Sequence, residues 1–441
     1  MKKTRCTRAE VRKKLKDIHL CTALAKVIRR FFPGLLDLLR EVSDPRHQSY
    51  ITYENYVLLM TRILSAVFYI SSMRKSSEEL NSTIGIANIG AITGKKLEEI
   101  PYWETINNYL ERIDPPEMQE VIYGLVRQLI RCKAFDAARV NRRFWQVILD
   151  GTQLVSSRDE LDGAYTFKVH NKGSEKEYKE YCYYVLEAKL VLSDNIYVSI
   201  MSEFVENVEE EYNKQDCERK AATRLMARLK EKFPRLPICI SGDSLYACES
   251  VIRTCEENHW AYLLRFKKGS IPSVQEEKEA LSKLQRHRRK TTVNGVECVT
   301  DFVTGIDYRG FKLNYAHYNE NNAEKVFNFL TNLPIRQKTV GNIIAWGRRR
   351  WGIENRGFNA QKKHGFYIEH LFSKNCWAMK NHYYLIQIAH MISQIMDAWT
   401  SIWEGIHQSD EQKHRRMLES WKTEYIDLQA VEEIGYQIRL E

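Results

Sequence analysis

The sequence predicts a mixed fold of the α+β or α/β class, and three observations predict it. The first third carries apolar residues at helical spacing and no β-rich run. Near residue 144 the texture changes to short aromatic and β-branched runs that alternate with amphipathic helical stretches. From Lys267 to about Lys338 the chain is β-rich without helical period, and strong helical pattern then returns.

Within residues 1–140, helical spacing marks Leu20–Leu39, Tyr53–Ile70 and Met118–Cys132. Pro33, Asp44-Pro45, Gly94 and Pro115-Pro116 are expected to break this region, with polar loops such as Ser76–Thr83 between the pieces. Phe144–Leu149 reads as a strand that ends at Asp150-Gly151-Thr152. Tyr181–Leu192 and Ile196–Glu206 read as a hairpin turned by Ser193-Asp194-Asn195. Asp216–Phe233 is an amphipathic helix closed by Pro234, and Ile238–Gly242 is a buried-looking strand that again runs into an acid, Asp243. A helix over Ala247–Asn258 leads to the strand Trp260–Phe266. Three antiparallel strands followed by alternating helices and parallel strands is the order of the ribonuclease H-like fold. Its first and fourth strands lie side by side, so Asp150 and Asp243 would meet at the carboxyl ends of neighbouring strands. Residues 141–266 are thus expected to form the first part of a catalytic core and 267–338 an inserted sheet. Residues 339–401 would complete the core with helices over Val340–Lys363 and Trp377–Ser401, and 402–441 would form a helical tail.

Charge narrows the function. The chain of 441 residues has 44% apolar and 28% charged residues, which excludes disordered and collagenous classes. Its longest apolar stretch, Val57–Met73, is interrupted by Arg62 and is short of the ~20 residues a membrane span needs. The basic start has no apolar core with a small-residue cleavage site after it, so secretion is not expected. Ten cysteines without a CxxC pair read as reduced core thiols rather than a disulfide framework or a zinc site. Residues 1–30 hold eleven Lys or Arg against Glu10 and Asp17, a net +9 within a chain total of +10. With Arg286–Lys290 and Arg348–Arg350 they make separated basic blocks. Such blocks suit a polyanion lying along an extended track, since each neutralised phosphate releases counterions. Solvated faces and a flexible arm are the bland alternative.

On a helix, Arg350 and Glu354 share a face, and Lys362 follows on the same stripe. Alone, that spacing is an ordinary exposed ion pair. With Asp150 and Asp243 it becomes a set of three carboxylates, which repel one another unless divalent cations join them. Oxygen ligands beside phosphate favour Mg²⁺ or Mn²⁺, and two such ions ~3.5–4 Å apart support in-line phosphoryl transfer. Glu209-Glu210-Glu211 reads as a solvated run, His364 and His370 as structural, and Trp346 and Trp351 as core residues in preference to platforms for an unpaired base.

The blocks Asp150-Gly151-Thr152, Gly242-Asp243-Ser244-Leu245-Tyr246 and Arg350-Trp351-Gly352-Ile353-Glu354, with Phe358 and Lys362, resemble the DDE transposases of bacterial insertion sequences, in particular the group with the YREK signature. The resemblance covers roughly residues 140–395. It implies that Asp150, Asp243 and Glu354 hold the metals and that Arg349, Arg350, Lys362 and Lys363 meet DNA. It also implies that residues 1–140 recognise terminal inverted repeats, that the partners are transposon ends and target DNA, and that the DNA complex is a homodimer in a bacterial cytoplasm. The activity implied is cleavage at transposon ends and joining of the freed 3′-hydroxyl to a target. A co-opted DNA-binding protein and a nuclease without joining activity are the alternatives. The signature tyrosine position is Gly347, the lysine position seven after Glu354 is Gln361, and Ser244 follows the second Asp where an arginine is frequent.

Overall fold

The computed structural model describes residues 19–163, 166–205, 218–285, 287–293, 296–320, 325–403, 408–433, 438 and 440. Most of the basic opening segment, the Glu209–Glu211 run and Arg286 lie outside them.

Before the first strand come α1 (Leu20–Phe31), α2 (Leu35–Arg40), α3 (Asn55–Val67), α4 (Met73–Glu79), α5 (Thr83–Thr93), α6 (Trp103–Leu110) and α7 (Pro115–Arg131). The expected loop at Ser76–Thr83 is largely helix. Ser72 and Ser82 cap α4 and α5 by accepting from Lys75 N and Gly85 N, so the polar run supplies caps rather than a connection. Pro115-Pro116 likewise opens α7 instead of breaking it, because proline's missing N–H costs nothing in a first turn.

Among the described residues ten strands form one sheet: β1 (Trp145–Ser157), β2 (Thr166–His170), β3 (Tyr178–Val191), β4 (Tyr197–Val205), β5 (Ile238–Gly242), β6 (Ala261–Arg265), β7 (Arg289–Val293), β8 (Val296–Tyr308), β9 (Phe311–Glu320) and β10 (Lys325–Thr331). The order is β2-β3-β1-β5-β6-β10-β9-β8-β7, with β4 also paired to β3. β1 and β5 are parallel neighbours in the register Trp145↔Ile238 to Ile148↔Ser241, as the sequence order requires. Asp150, however, does not end its strand. β1 continues to Ser157 because β3 pairs with it up to Ser157↔Tyr181, whereas its pairing with β5 stops at Ile148. Asp150 therefore sits where one edge of β1 becomes free. β2, which the sequence pattern did not reveal, is a five-residue strand against the first half of β3.

The stretch expected to be an inserted sheet differs in two ways. It contains the helix α10 (Pro272–Leu284), after α8 (Glu218–Lys232) and α9 (Glu249–Glu257), and its strands extend the main sheet through the β6–β10 pairing Leu264↔Leu330. The C-terminal helices are α11 (Val340–Arg348), a π-helical turn (Ile353–Phe358), α12 (Asn359–Lys363), α13 (Cys376–Ala398), α14 (Thr400–Trp403), α15 (Asp410–Thr423) and α16 (Leu428–Glu432). Among the described residues no helix is long and apolar enough to cross a membrane.

The early helices share one hydrophobic core with β1, β3, β4 and α13. Buried amides stitch them together. Gln119 Nε2 donates to Ser202 O (3.1 Å) and Tyr384 Oη (2.8 Å), and Asn381 Nδ2 donates to Leu110 O and Ile113 O (both 2.9 Å). Asn88 Nδ2 reaches Trp421 O at 2.9 Å. Such bonds leave few buried amide groups unmatched, so the helices before residue 140 are built into the body of the molecule.

Candidate active site

The sheet presents the carboxylates and a buried amide aligns the helix opposite them. Gln146 Nε2, on β1, donates to Ser241 Oγ of β5 (2.9 Å) and to Trp346 O of α11 (2.8 Å). Ile148, Val191 and Tyr197 then pack with Ile353 and Phe358 of the π-turn as a small core of their own. Two glycines permit that approach: a Cβ at Gly347 would lie 2.6 Å from Phe329 Cε1, and one at Gly352 would overlap the Tyr197 ring. Gly347 stands at the signature tyrosine position, and a tyrosine there would collide with Phe329.

Arg350 links two of the three acids. Its Nη1 lies 3.2 Å from Glu354 Oε1 and 3.6 Å from Asp150 Oδ2. The Arg350 and Asp150 side chains are 18% and 19% exposed and Glu354 is 43% exposed, so the pair is not the surface contact that helical spacing alone suggests. Asp243, half-buried after β5, accepts from Leu245 N at Oδ1 (2.7 Å), which sets its rotamer. The three acids do not stand at metal-ligating separations: among the described residues no group of three His, Cys, Asp or Glu side chains is arranged to hold an ion. The Arg350 guanidinium occupies the space between Asp150 and Glu354.

The electrostatics register this crowding. Burial pushes the Asp150 carboxyl up to about 7; Arg350 works against it, while Glu354, Asp243 and Glu218 push the same way. Its folded pKa lies above the unfolded value of ~3.9. Stability from this group is therefore complete below that value and is lost as pH rises towards about 7. In chelator, Asp150→Asn is expected to raise the melting temperature at pH 8, by an amount that shrinks towards pH 4. A gain independent of pH in thermal melts would contradict this.

The basic residues divide. Arg349 is held by protein, with Nε donating to Asp194 Oδ1 (3.0 Å) and Nη1 to Ala138 O (2.8 Å), whereas Arg348 is exposed above the Phe327 ring (5.0 Å). Gln361 is fully buried and donates to Gln387 Oε1 (2.7 Å). Lys362 donates to Gln153 O of β1 (2.7 Å) and pairs with Glu369 (3.0 Å), and Lys363 is exposed. In a regular α-helix the seventh residue after Glu354 falls ~20° from it and the eighth ~80°. The π-turn accommodates one extra residue, so the eighth, Lys362, takes the place of a seventh and Gln361 turns inward. Trp351 is 51% exposed, against the expectation of core packing, and meets Phe327 of β10 edge-on, with ring centroids 6.4 Å apart; Trp346 packs half-buried against the β8–β10 core.

Glu218 lies beside the two aspartates, though no spacing in the sequence singles it out. It opens α8, and its carboxylate accepts from Tyr184 Oη at 2.9 Å and from Tyr246 Oη.

Residues 196–392 match the family model described as the transposase DDE domain, a span that includes Asp243 and Glu354 and begins after Asp150. No curated protein matches the chain. Among solved structures, the cryo-EM structure of a piggyBac transposase synaptic complex with hairpin DNA is similar at a TM-score of 0.42 and 14% identity, over 98% of this chain and 85% of that one.

Proposed function

We propose, on the match of residues 196–392 to the family model described as the transposase DDE domain, that this chain cleaves DNA at transposon ends and joins the freed 3′-hydroxyl to target DNA. The observation that carries the reading is the guanidinium of Arg350 between Asp150 and Glu354, with Asp243 directly after the adjoining parallel strand β5. In this reading the first strands and the helices around them are a ribonuclease H-like catalytic core, and Asp150, which precedes the matched span, is its first acid.

The donor set fits Mg²⁺ or Mn²⁺: the candidate ligands are carboxylate oxygens, and burial, together with Glu354, Asp243 and Glu218, opposes the ionisation of Asp150 that Arg350 favours. Asp150, Asp243 and Glu354 would hold the ions, which when bound would activate a water or a 3′-hydroxyl and stabilise the leaving oxygen. The chain's own residues do the rest. Arg350 orients Asp150 and Glu354 and offers its outer N–H groups to a phosphate as a bidentate fork. Lys362 and Lys363, at the end of α12, add positive charge along the strand's path, joined by the exposed Arg348. Arg349, occupied on both edges, would meet DNA only by leaving Asp194.

Residues 1–140 and the basic opening segment would recognise inverted repeats, with affinity from phosphate contacts that weakens steeply with salt. The DNA complex is proposed to be a homodimer. The test is an inverted-repeat duplex incubated with the full chain, Mg²⁺ and a target plasmid. Nicked ends together with covalent joint products are expected. Nicks without joints would reduce the protein to a nuclease, and binding without nicks would make it a DNA-binding relative only.

A further inference from the structure

Gln361 has no part in the chemistry proposed above, yet both hydrogens of its buried amide are in use. Nε2 donates to Gln387 Oε1 of α13 at 2.7 Å and lies 3.0 Å from His390 Nδ1 on the next turn of that helix. Burial pushes the His390 pKa well below its usual value, so the neutral ring can accept, and a backbone hydrogen bond ties the same ring to Arg356 inside the π-turn. Gln387 Oε1 is shared with the ammonium of Lys189, fully buried on β3, at 2.9 Å. Lys189 stands opposite Ile148 of β1, and its stem lies against the turn, where a Cβ on Gly357 would come within 3.0 Å of Lys189 Cε. A chain of buried polar groups therefore runs from the strand beside β1, through α13, to the residues that follow the π-turn.

The turn needs such a hold. Asn359 N donates to Glu354 O, five residues back, and the α-helical register then resumes, with His364 N on Ala360 O at 3.1 Å. Wide turns of this kind are uncommon and persist where the surroundings over-determine them. A regular helix from Glu354 onward would carry Lys362 ~80° off the Glu354 face and swing Gln361 onto it. That swing would strip the Gln361 amide of both bonds.

We infer that Gln361 is a positioning residue: its amide, held by Gln387 and His390, fixes the register of the π-turn and so keeps Lys362 on the face of Glu354, where Lys362 donates to Gln153 O. The inference rests on the reading that this face acts on DNA. Its test is Gln361→Met, which keeps the length of the side chain and removes the amide. Neither partner is orphaned, because Gln387 Oε1 keeps Lys189 Nζ and His390 Nδ1 keeps Gln394 Nε2 at 2.9 Å. The melting temperature is therefore expected to stay near wild type. In hydrogen exchange of the full chain without DNA, the amides of residues 353–364 are expected to exchange about tenfold faster or more, with α13 unchanged. Unchanged exchange in the turn would overturn the inference, whether or not the chain cleaves DNA. On an inverted-repeat duplex, kcat should fall about tenfold while KM stays within about twofold. Gln361→Met combined with Lys362→Met should be no slower than Lys362→Met alone, since one residue acts through the other. Losses that multiply would overturn the role as well. Absence of cleavage by the wild-type chain would fail the DNA reading and leave the exchange result to decide this one. If Gln361→Met does not fold, Gln361→Asn, whose amide falls one methylene short of its partners, takes its place with the same outcomes.

Discussion

Asp243→Asn is expected to cut strand cleavage by roughly a hundred- to a thousandfold, the scale of losing one contribution to the stabilisation of developing charge, here through the cation that Asp243 would hold. The substitution should leave the fold intact, since Asn Oδ1 can still accept from Leu245 N, the one bond that Asp243 Oδ1 makes in this turn. DNA affinity should stay within a few-fold of wild type, because binding strength comes mainly from phosphate contacts made elsewhere. Gel-shift titration and a cleavage time course on the same duplex would measure both. Parallel loss of binding and cleavage would mean that Asp243 supports the DNA surface rather than the chemistry.

The second large effect falls on Arg350. Arg350→Ala removes the guanidinium between Asp150 and Glu354 and leaves two carboxylates, one of them 19% exposed, facing each other. Cleavage is expected to drop ~100-fold or more, the loss that follows when a reacting group is misplaced by ~1 Å. Stability in chelator should fall as well, since breaking a largely buried pair costs more than the ~0–1 kcal/mol of an exposed one. Arg350→Lys should recover part of the rate: it restores charge but not the planar fork that spans two acceptors. Wild-type cleavage from the Ala protein would reject the clamp and return Arg350–Glu354 to the status of an ordinary helical pair.

Some of this was legible in the sequence and some was not, for physical reasons. The pairing of β1 with β5 was legible because each is a short β-rich run that reaches an acid, Asp150 or Asp243, and strand order predicts the two runs to be neighbours. The length of β1 beyond Asp150 could not be read, since it depends on β3 being longer than β5. Glu218 left no spacing signal: its phenol partners lie 34 and 28 residues away, and only the glycines beside the two aspartates hinted at a crowded neighbour. The π-turn showed itself as a single extra residue between Glu354 and Lys362, a shift that becomes meaningful only when Gln361 is seen buried. Arg349 looked equivalent to Arg350 until the turn at Asp194 and the carbonyl of Ala138 were found to hold it. The helices before residue 140 read as a unit apart because local periodicity cannot report that Gln119, Asn381 and Asn88 bond across to distant elements. Deleting them would strip α13 of its buried partners, so DNA-end recognition is better mapped by point substitutions of exposed basic residues.

Central to the proposed chemistry is that Asp150, Asp243 and Glu354 would hold divalent cations while Arg350 would orient a phosphate. Anomalous diffraction from crystals of the full chain grown with Mn²⁺ and inverted-repeat DNA tests it most directly. Mn²⁺ peaks beside Asp150 and Asp243 are expected, with Glu354 turned towards them and Arg350 on a phosphate. Peaks bound elsewhere, with Arg350 still bridging Asp150 and Glu354, would contradict it.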